Sequence, residues 1–385
     1  MTIERFSIIF LLIGLPVLSV LSFYHIPINF PTGNYILLLL VLVLSLTKRT
    51  SWIISYDSAK YQLTFLCIFL YFALGHFLLI TFYRPDLIYN LTVKEWILNC
   101  ITIIVVGLIG ERFRLIVRCL KEHKWIFVIL FLIFGLLIFL NDLLFKNRLT
   151  NGGAHLFLSP SVIILGAFSV NSVRSIFIKV VLILFSAYLL YILGGRGTLL
   201  AAALGMIVFL PRTLRILSLL TFITFCVVLV SSEPVLSSIS NLQLFSLSRS
   251  QGSNFAEGEF LNDVSAAGRL YYLIAAFKIL PDNYFLGAPQ IWQSYGYGVA
   301  GYPHNIISLW LGYGLLPALL LFLLILKVGL RAIFERMRSE LWCFNYVAVY
   351  SICELILFKG MVTLNSYALY LLVIIWCDKY ANEKY

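Results

Sequence analysis

Charge is what this sequence has little of. Only 12% of its 385 residues are Asp, Glu, Lys or Arg, and just 17 are acidic. Soluble globular domains carry about 25% charged residues, so a water-soluble domain is excluded. The deficit is matched by a surplus: 61% of residues are hydrophobic, and the mean hydropathy is +0.98. Alternation of apolar and polar residues is also missing. Segments such as IFVILFLIFGLLIFL (126–140) are apolar throughout, which excludes a β-barrel and fits helices crossing a core about 30 Å thick. No small-residue cleavage site follows the first apolar run, only FYHIPINFPTGN (23–34), so no removable signal peptide is expected.

Metal and nucleotide signatures are absent as well. The five histidines (His25, His76, His123, His155, His304) form no HExxH or related cluster, and no catalytic metal bound by the protein is expected. Cys67, Cys100, Cys119, Cys226, Cys343, Cys353 and Cys377 show no paired metal spacing and read as small buried hydrophobes. There is no P-loop and no dinucleotide-binding glycine pattern. The NLT tripeptide (90–92) is too common to carry weight.

What is present is a succession of apolar segments. The fold class is all-α and polytopic: one integral membrane domain, residues 1–385, with twelve expected spans. They fall near 6–24, 35–47, 61–83, 95–110, 124–140, 156–172, 176–193, 198–210, 214–232, 304–326, 341–358 and 362–377. The second and eighth are short. Basic residues orient them. Of the 28 Lys and Arg, one set of alternate connections holds nine: Arg84, Lys94, Lys146, Arg148, Arg196, Arg249, Arg269, Lys278 and Lys359. The other nineteen fall on the opposite side, which places both termini in the cytoplasm. The net charge of +11 is then mostly topological and not a nucleic-acid footprint.

One external connection stands out. Residues 233–303 form a loop far longer than the others, and long loops are usually functional or disordered. Within it, SAAGRLYYLIAAFKILPDNYFLG (265–287) reads as a helix of about four turns stopped by Pro281 and Asp282. It is too short to span, so it is expected to lie in the interface or against the bundle.

The polar residues expected at the external face each allow two readings. Arg196 is either a turn residue snorkelling to headgroups or a phosphate ligand, with Gly194, Gly195 and Gly197 letting an anion approach backbone amides. Arg269 anchors the loop helix to lipid phosphates or binds a substrate. Pro303-His304-Asn305 is an ordinary helix start or a reactive group at the membrane rim. Glu354 lies within a span, where an ionisable side chain is a functional hypothesis by default; its plain alternative is pairing with Lys359 or an arginine. IWQSYGYGVAGY (291–302), ending in Tyr302, is an interfacial belt or a stacking platform for sugars. Tyr271 on the loop helix joins the substrate-facing candidates.

Taken in order, GGRGTLL (194–200), GRLYYLIAAFKILPDNYFLGAP (268–289) and PHNIISLWLGYGLLP (303–317) resemble the O-antigen polymerase and O-antigen ligase superfamily. The resemblance runs along most of the chain, including the number of spans and the large loop ahead of the histidine-bearing helix. It implies a metal-independent, GT-C-like glycosyltransferase of lipopolysaccharide biosynthesis in the bacterial inner membrane, without cofactors. Its substrates would be undecaprenyl-diphosphate-linked oligosaccharides met at the periplasmic face, and a chain-length-regulating copolymerase is a partner it leaves room for. Carried over by position, Arg196, Arg269 and His304 are the catalytic residues; Asn305, Glu354, Tyr302 and Tyr271 are the substrate-binding candidates beside them, which the resemblance itself does not assign. The family often has Ser or Thr before the first arginine; here Gly195 stands there.

The chemistry agrees with those residue types. Transfer from a lipid diphosphate makes diphosphate the leaving group, and Arg binds phosphate bidentately while staying charged. The acceptor hydroxyl must lose a proton, and an imidazole with an unperturbed pKa of about 6.5 is suited to take it. The form of the histidine motif favours a polymerase of O-antigen or capsule over a ligase. A transporter or flippase is the rival from another class. Against it stand the shortage of mid-membrane charges and of any internal repeat.

Overall fold

The computed structural model describes residues 82, 117, 121–122, 124–145, 155–193, 196–231, 273, 275–287, 306–334, 342–358 and 368–382. Every regular element among them is helical, and no strand occurs. In chain order these are α1 (Lys124–Phe145), α2 (His155–Ser172), α3 (Ile176–Ile192) and α4 (Arg196–Gly205), which tightens into a 3₁₀ turn at Met206–Phe209. Next come α5 (Arg212–Ser231), a 3₁₀ turn at Leu280–Asn283, α6 (Ile307–Tyr313) and α7 (Leu315–Phe334). α8 (Trp342–Cys353) continues as a π-helical turn, Glu354–Phe358, and α9 (Ala368–Asn382) closes the order.

Two of these helices are long and apolar enough to cross a membrane, through Trp125–Leu143 and Leu315–Ala332. Leu158–Ser172, Ile176–Ile192, Gly197–Phe209 and Trp342–Leu357 form shorter apolar helices. Their packing sorts them into layers. α2 is buried on all sides from Leu158 to Val170, as suits a helix that is apolar all round. α3 lies outside: Leu182, Leu189 and Leu190 are buried, while Ile176, Phe177, Val181, Leu184, Tyr188 and Tyr191 are exposed. Its outward face is as apolar as its inward one, so water is the wrong neighbour for it.

Close packing here relies on small residues and ring contacts, as in helices that already sit in an apolar medium. Gly135 on α1 faces Phe185 and Leu189 of α3, and Gly166 on α2 faces Ser186. Phe168 joins three helices, with its ring centroid 5.7 Å from Phe127 and 5.6 Å from Phe344. The Ser169 hydroxyl lies 2.7 Å from the Leu165 carbonyl and 2.9 Å from that of Phe127, linking α2 to α1.

Five of the expected spans agree with observed helices to within about two residues: 156–172, 176–193, 198–210, 214–232 and 341–358. Three others differ, each for a physical reason. The span expected over 304–326 is broken at Gly314, whose φ of +89° leaves helical geometry. The chain restarts at Leu315 and stays helical to Phe334, past Lys327 and Arg331. The span expected at 362–377 is described from Ala368 and continues to Asn382, past Asp378. Both helices run on because those three charged groups pair: Lys327 Nζ is 2.8 Å and Arg331 2.9 Å from Asp378 Oδ1. Likewise α1 runs to Phe145, beyond the expected 140, with Asn141 buried in it. Apart from residue 82, the first four expected spans lie outside the described residues, as do residues 359–367.

Candidate functional site

α4 and α8 run antiparallel, and three pairs of neighbours fix their register. Phe209 stacks edge-on against Trp342 at 5.0 Å. A Cβ on Gly205 would sit 3.1 Å from the Tyr346 ring. Thr198 adjoins the Tyr350 hydroxyl. Extending that register by two residues sets the first residue of α4, Arg196, beside the turn that begins at Glu354, and α4 packs against that turn. Two of the sequence-derived candidates thus come to one end of one helix pair. For Arg196 the description covers the backbone.

Glu354 is fully buried, with 0% of its surface exposed. Tyr350 lies one helical turn before it, on the same face, also at 0%, and within electrostatic range of the carboxylate. The Tyr350 hydroxyl also neighbours those of Thr198 and Tyr370, and the two tyrosine rings are 6.1 Å apart. Removing a carboxylate from water costs several kcal/mol before partners compensate it. A core built for stability alone would place an apolar residue here. The π-helical turn starts at this residue, and such turns recur at functional sites because they re-aim side chains out of α-helical phase. Sequence reading found Glu354 but missed Tyr350, Thr198 and Tyr370. The signal for Tyr350 was its spacing of four from Glu354.

The second part of the region is a junction between the 275–287 segment and the break in the tenth expected span. Residues 275–279 are helical, and the chain tightens through Leu280–Asn283 with Pro281 inside the 3₁₀ turn. Pro281 therefore does not end the helical path, as expected from sequence; the path ends after Asn283. Ala275, Ala276, Ile279, Leu280 and Asn283 are buried while Phe277, Lys278 and Asp282 are exposed, so the segment tucks one face against the bundle. The Asn283 amide donates to the Ile279 carbonyl (3.1 Å), and the Gly287 N–H to that of Asn283 (3.0 Å).

From there the chain touches α6 and α7 backbone to backbone. The Leu315 N–H donates to the Phe285 carbonyl at 3.2 Å, and the Trp310 indole N–H to that of Tyr284 at 2.8 Å. The Tyr284 ring stands 5.0 Å from Trp310 and 5.1 Å from Phe285, both edge-on. Gly287 and Gly314 have φ of +66° and +89°. A Cβ on Gly287 would fall 2.6 Å from the Tyr313 nitrogen, and one on Gly314 would strike the Phe285 carbonyl oxygen. Only glycine fits either place.

This junction lies at the Glu354 end of the bundle, as a chain of pairings shows. Lys327 and Arg331 of α7 meet Asp378 of α9. Its neighbour Cys377 contacts Asn345 near the start of α8, at 3.2 Å. That is the end of α8 remote from Glu354, so Leu315, a dozen residues earlier on α7, points to the other end. Leu309, Tyr313, Ala201, Tyr350 and Leu355 share one continuous core. Arg269, Tyr271, Tyr302, His304 and Asn305 lie outside the described residues. In sequence, Arg269 stands six residues before the 275–279 helix, and His304 three before α6.

Comparison with protein-family profiles, curated proteins and solved structures finds no match for this chain.

Proposed function

We propose that the protein is a multi-pass membrane glycosyltransferase that polymerises a lipid-diphosphate-linked oligosaccharide at the external face of the inner membrane. The observation that supports it best is the gathering of the Arg196 turn, the Glu354 turn and the 284–287/310–315 junction at one end of the bundle. Those elements carry or flank the three motifs through which the sequence resembles the O-antigen polymerase and ligase superfamily. Substrates that are half lipid and half sugar have their reacting atoms at the interface, where this end of the bundle would lie. Rigid helix ends hold reacting groups there more firmly than a loop does.

In this reading the acceptor hydroxyl oxygen forms a bond to the anomeric carbon of the donor, and the bond from that carbon to the diphosphate oxygen breaks. The diphosphate leaves with the electron pair and gathers negative charge as it does. Arg196 and Arg269 bind that developing charge, each hydrogen bond to it contributing about 1.5–3 kcal/mol. His304, oriented by Asn305, accepts the hydroxyl proton. Tyr271 and Tyr302 contact the sugars; Glu354, fully buried, serves substrate binding from behind the site. The buried Asp, Glu and Arg side chains among the described residues favour an enzyme over a transporter, because they stand at the bundle's two ends: Glu354 at one, Arg215 and Asp378 at the other.

The test is incubation of purified protein with an undecaprenyl-diphosphate-linked repeat unit alone, beside Arg196→Ala and His304→Ala. A ladder of products from wild type, lost in both variants, is the expected result. Transfer only after lipid A core is supplied makes the protein a ligase using the same residues. No transfer to either acceptor, or a ladder that survives both substitutions, overturns the assignment.

A further inference from the structure

We infer that the junction of Tyr284–Gly287 with Trp310–Leu315 is the positioning device of the transfer, and that Trp310, Gly287 and Gly314 are positioning residues within it. The inference rests on the glycosyltransferase reading. Its structural premise is independent of that reading: two segments nearly thirty residues apart in sequence meet through main-chain atoms, with no side chain between them at either glycine.

Geometry sets the consequence. A contact made through flexible side chains tolerates shifts of an ångström or more. A contact made by the Leu315 N–H on the Phe285 carbonyl, with glycine on both sides, does not. The Trp310 indole adds a second fixed point on the adjacent Tyr284 carbonyl. Two hydrogen bonds to successive carbonyls remove the freedom of one segment to pivot about the other. The segment that follows Arg269 in sequence and the one that follows His304 are thereby fixed to each other at this junction. A misplacement of about 1 Å between reacting groups costs on the order of a hundredfold in rate, so a leaving-group ligand and a proton acceptor on separate segments need such a link. The Trp310 N–H is committed to protein and not to headgroups.

The experiment uses the full-length protein in detergent with Trp310→Phe, which keeps the ring and removes the N–H, and with Gly314→Ala. Hydrogen exchange is followed in residues 284–290 and 306–316, and kcat and donor KM are measured with the undecaprenyl-diphosphate-linked repeat unit. Both variants are expected to exchange faster in both segments together. Their kcat should fall by about tenfold to a hundredfold while donor KM stays near the wild-type value, since the groups remain present but misaligned. Trp310→Phe should keep the wild-type melting temperature, which separates positioning from unfolding. A wild type active in the assay, with both variants unchanged in kcat, overturns this inference and leaves the functional reading intact. A wild type inactive toward both acceptors overturns the functional reading and the positioning role with it.

Discussion

The Lys327 ammonium lies 2.8 Å from the Asp378 carboxylate, an ion pair that ties α7 to α9 where hydropathy alone would have ended both helices. Arg331 reaches the same carboxylate oxygen at 2.9 Å and the Asp378 backbone carbonyl at 3.2 Å. The Asp378 side chain is fully buried, whereas that of Lys327 is 46% exposed. The two partners are therefore unequal. Replacing Asp378 with Ala leaves two cations facing an emptied site and should cost about 2 kcal/mol. Lys327→Ala should cost under about 1 kcal/mol, because a pair made by a half-exposed ammonium is weak and Arg331 still holds the carboxylate. Thermal denaturation in detergent orders them; a larger loss from Lys327 than from Asp378 would contradict the burial argument.

Gly135 gives a second stability test. A Cβ there would sit 2.6 Å from Phe185 Cζ and 2.9 Å from Leu189 Cδ1, both on α3. In an unhindered helix, Ala in place of Gly would gain roughly 1 kcal/mol. The overlap costs more, about 1–3 kcal/mol, so Gly135→Ala should lower the melting temperature. An unchanged or raised value would mean that the Phe185 ring has room to move.

Arg196→Lys tests geometry apart from charge. Lysine keeps the positive charge and loses the planar fork that binds two phosphate oxygens at once. If Arg196 grips the leaving diphosphate, turnover should fall at least about tenfold, in line with the loss of one charge-assisted hydrogen bond. A lysine variant with full turnover, measured in the ladder assay, would make Arg196 a headgroup anchor.

At Glu354 the useful comparison is Gln against Leu. Gln keeps the shape and the hydrogen-bonding oxygen, and Leu keeps neither. With Tyr350 one turn away and Thr198 across from it, a role in substrate binding predicts a graded loss of turnover from Glu to Gln to Leu. A purely structural carboxylate predicts that turnover falls only as far as the melting temperature does. Turnover and melting temperature measured on the same preparations separate the two.

Much of the helical layout was legible because hydropathy reports the environment of a long segment. α2, α3 and α8 fall where their apolar runs begin and end. The misses share a cause: single-residue events that a window average cannot see. Gly314 breaks a run that is apolar on both sides, and its positive φ answers to the Phe285 carbonyl pressed against it. Asp378 stays inside a helix because its partners come from another one. At the candidate site Glu354 was visible as an isolated charge, while Tyr350 and Thr198 looked like ordinary span residues. Their part depends on the α4–α8 register, which no local pattern encodes.

The break at Gly314 carries a consequence for how the molecule can be taken apart. A helix that begins at Leu315 has first-turn amides with no partner in its own backbone, and one of them is satisfied by Phe285. The 284–287 segment thus supplies the cap of a helix long and apolar enough to cross a membrane. It cannot be exchanged between proteins as an independent module: a graft that replaces residues 284–287 without residues 310–315 would leave that helix uncapped. The natural seam for chimeras runs upstream of the 275–279 helix and downstream of α7, with the junction carried across whole.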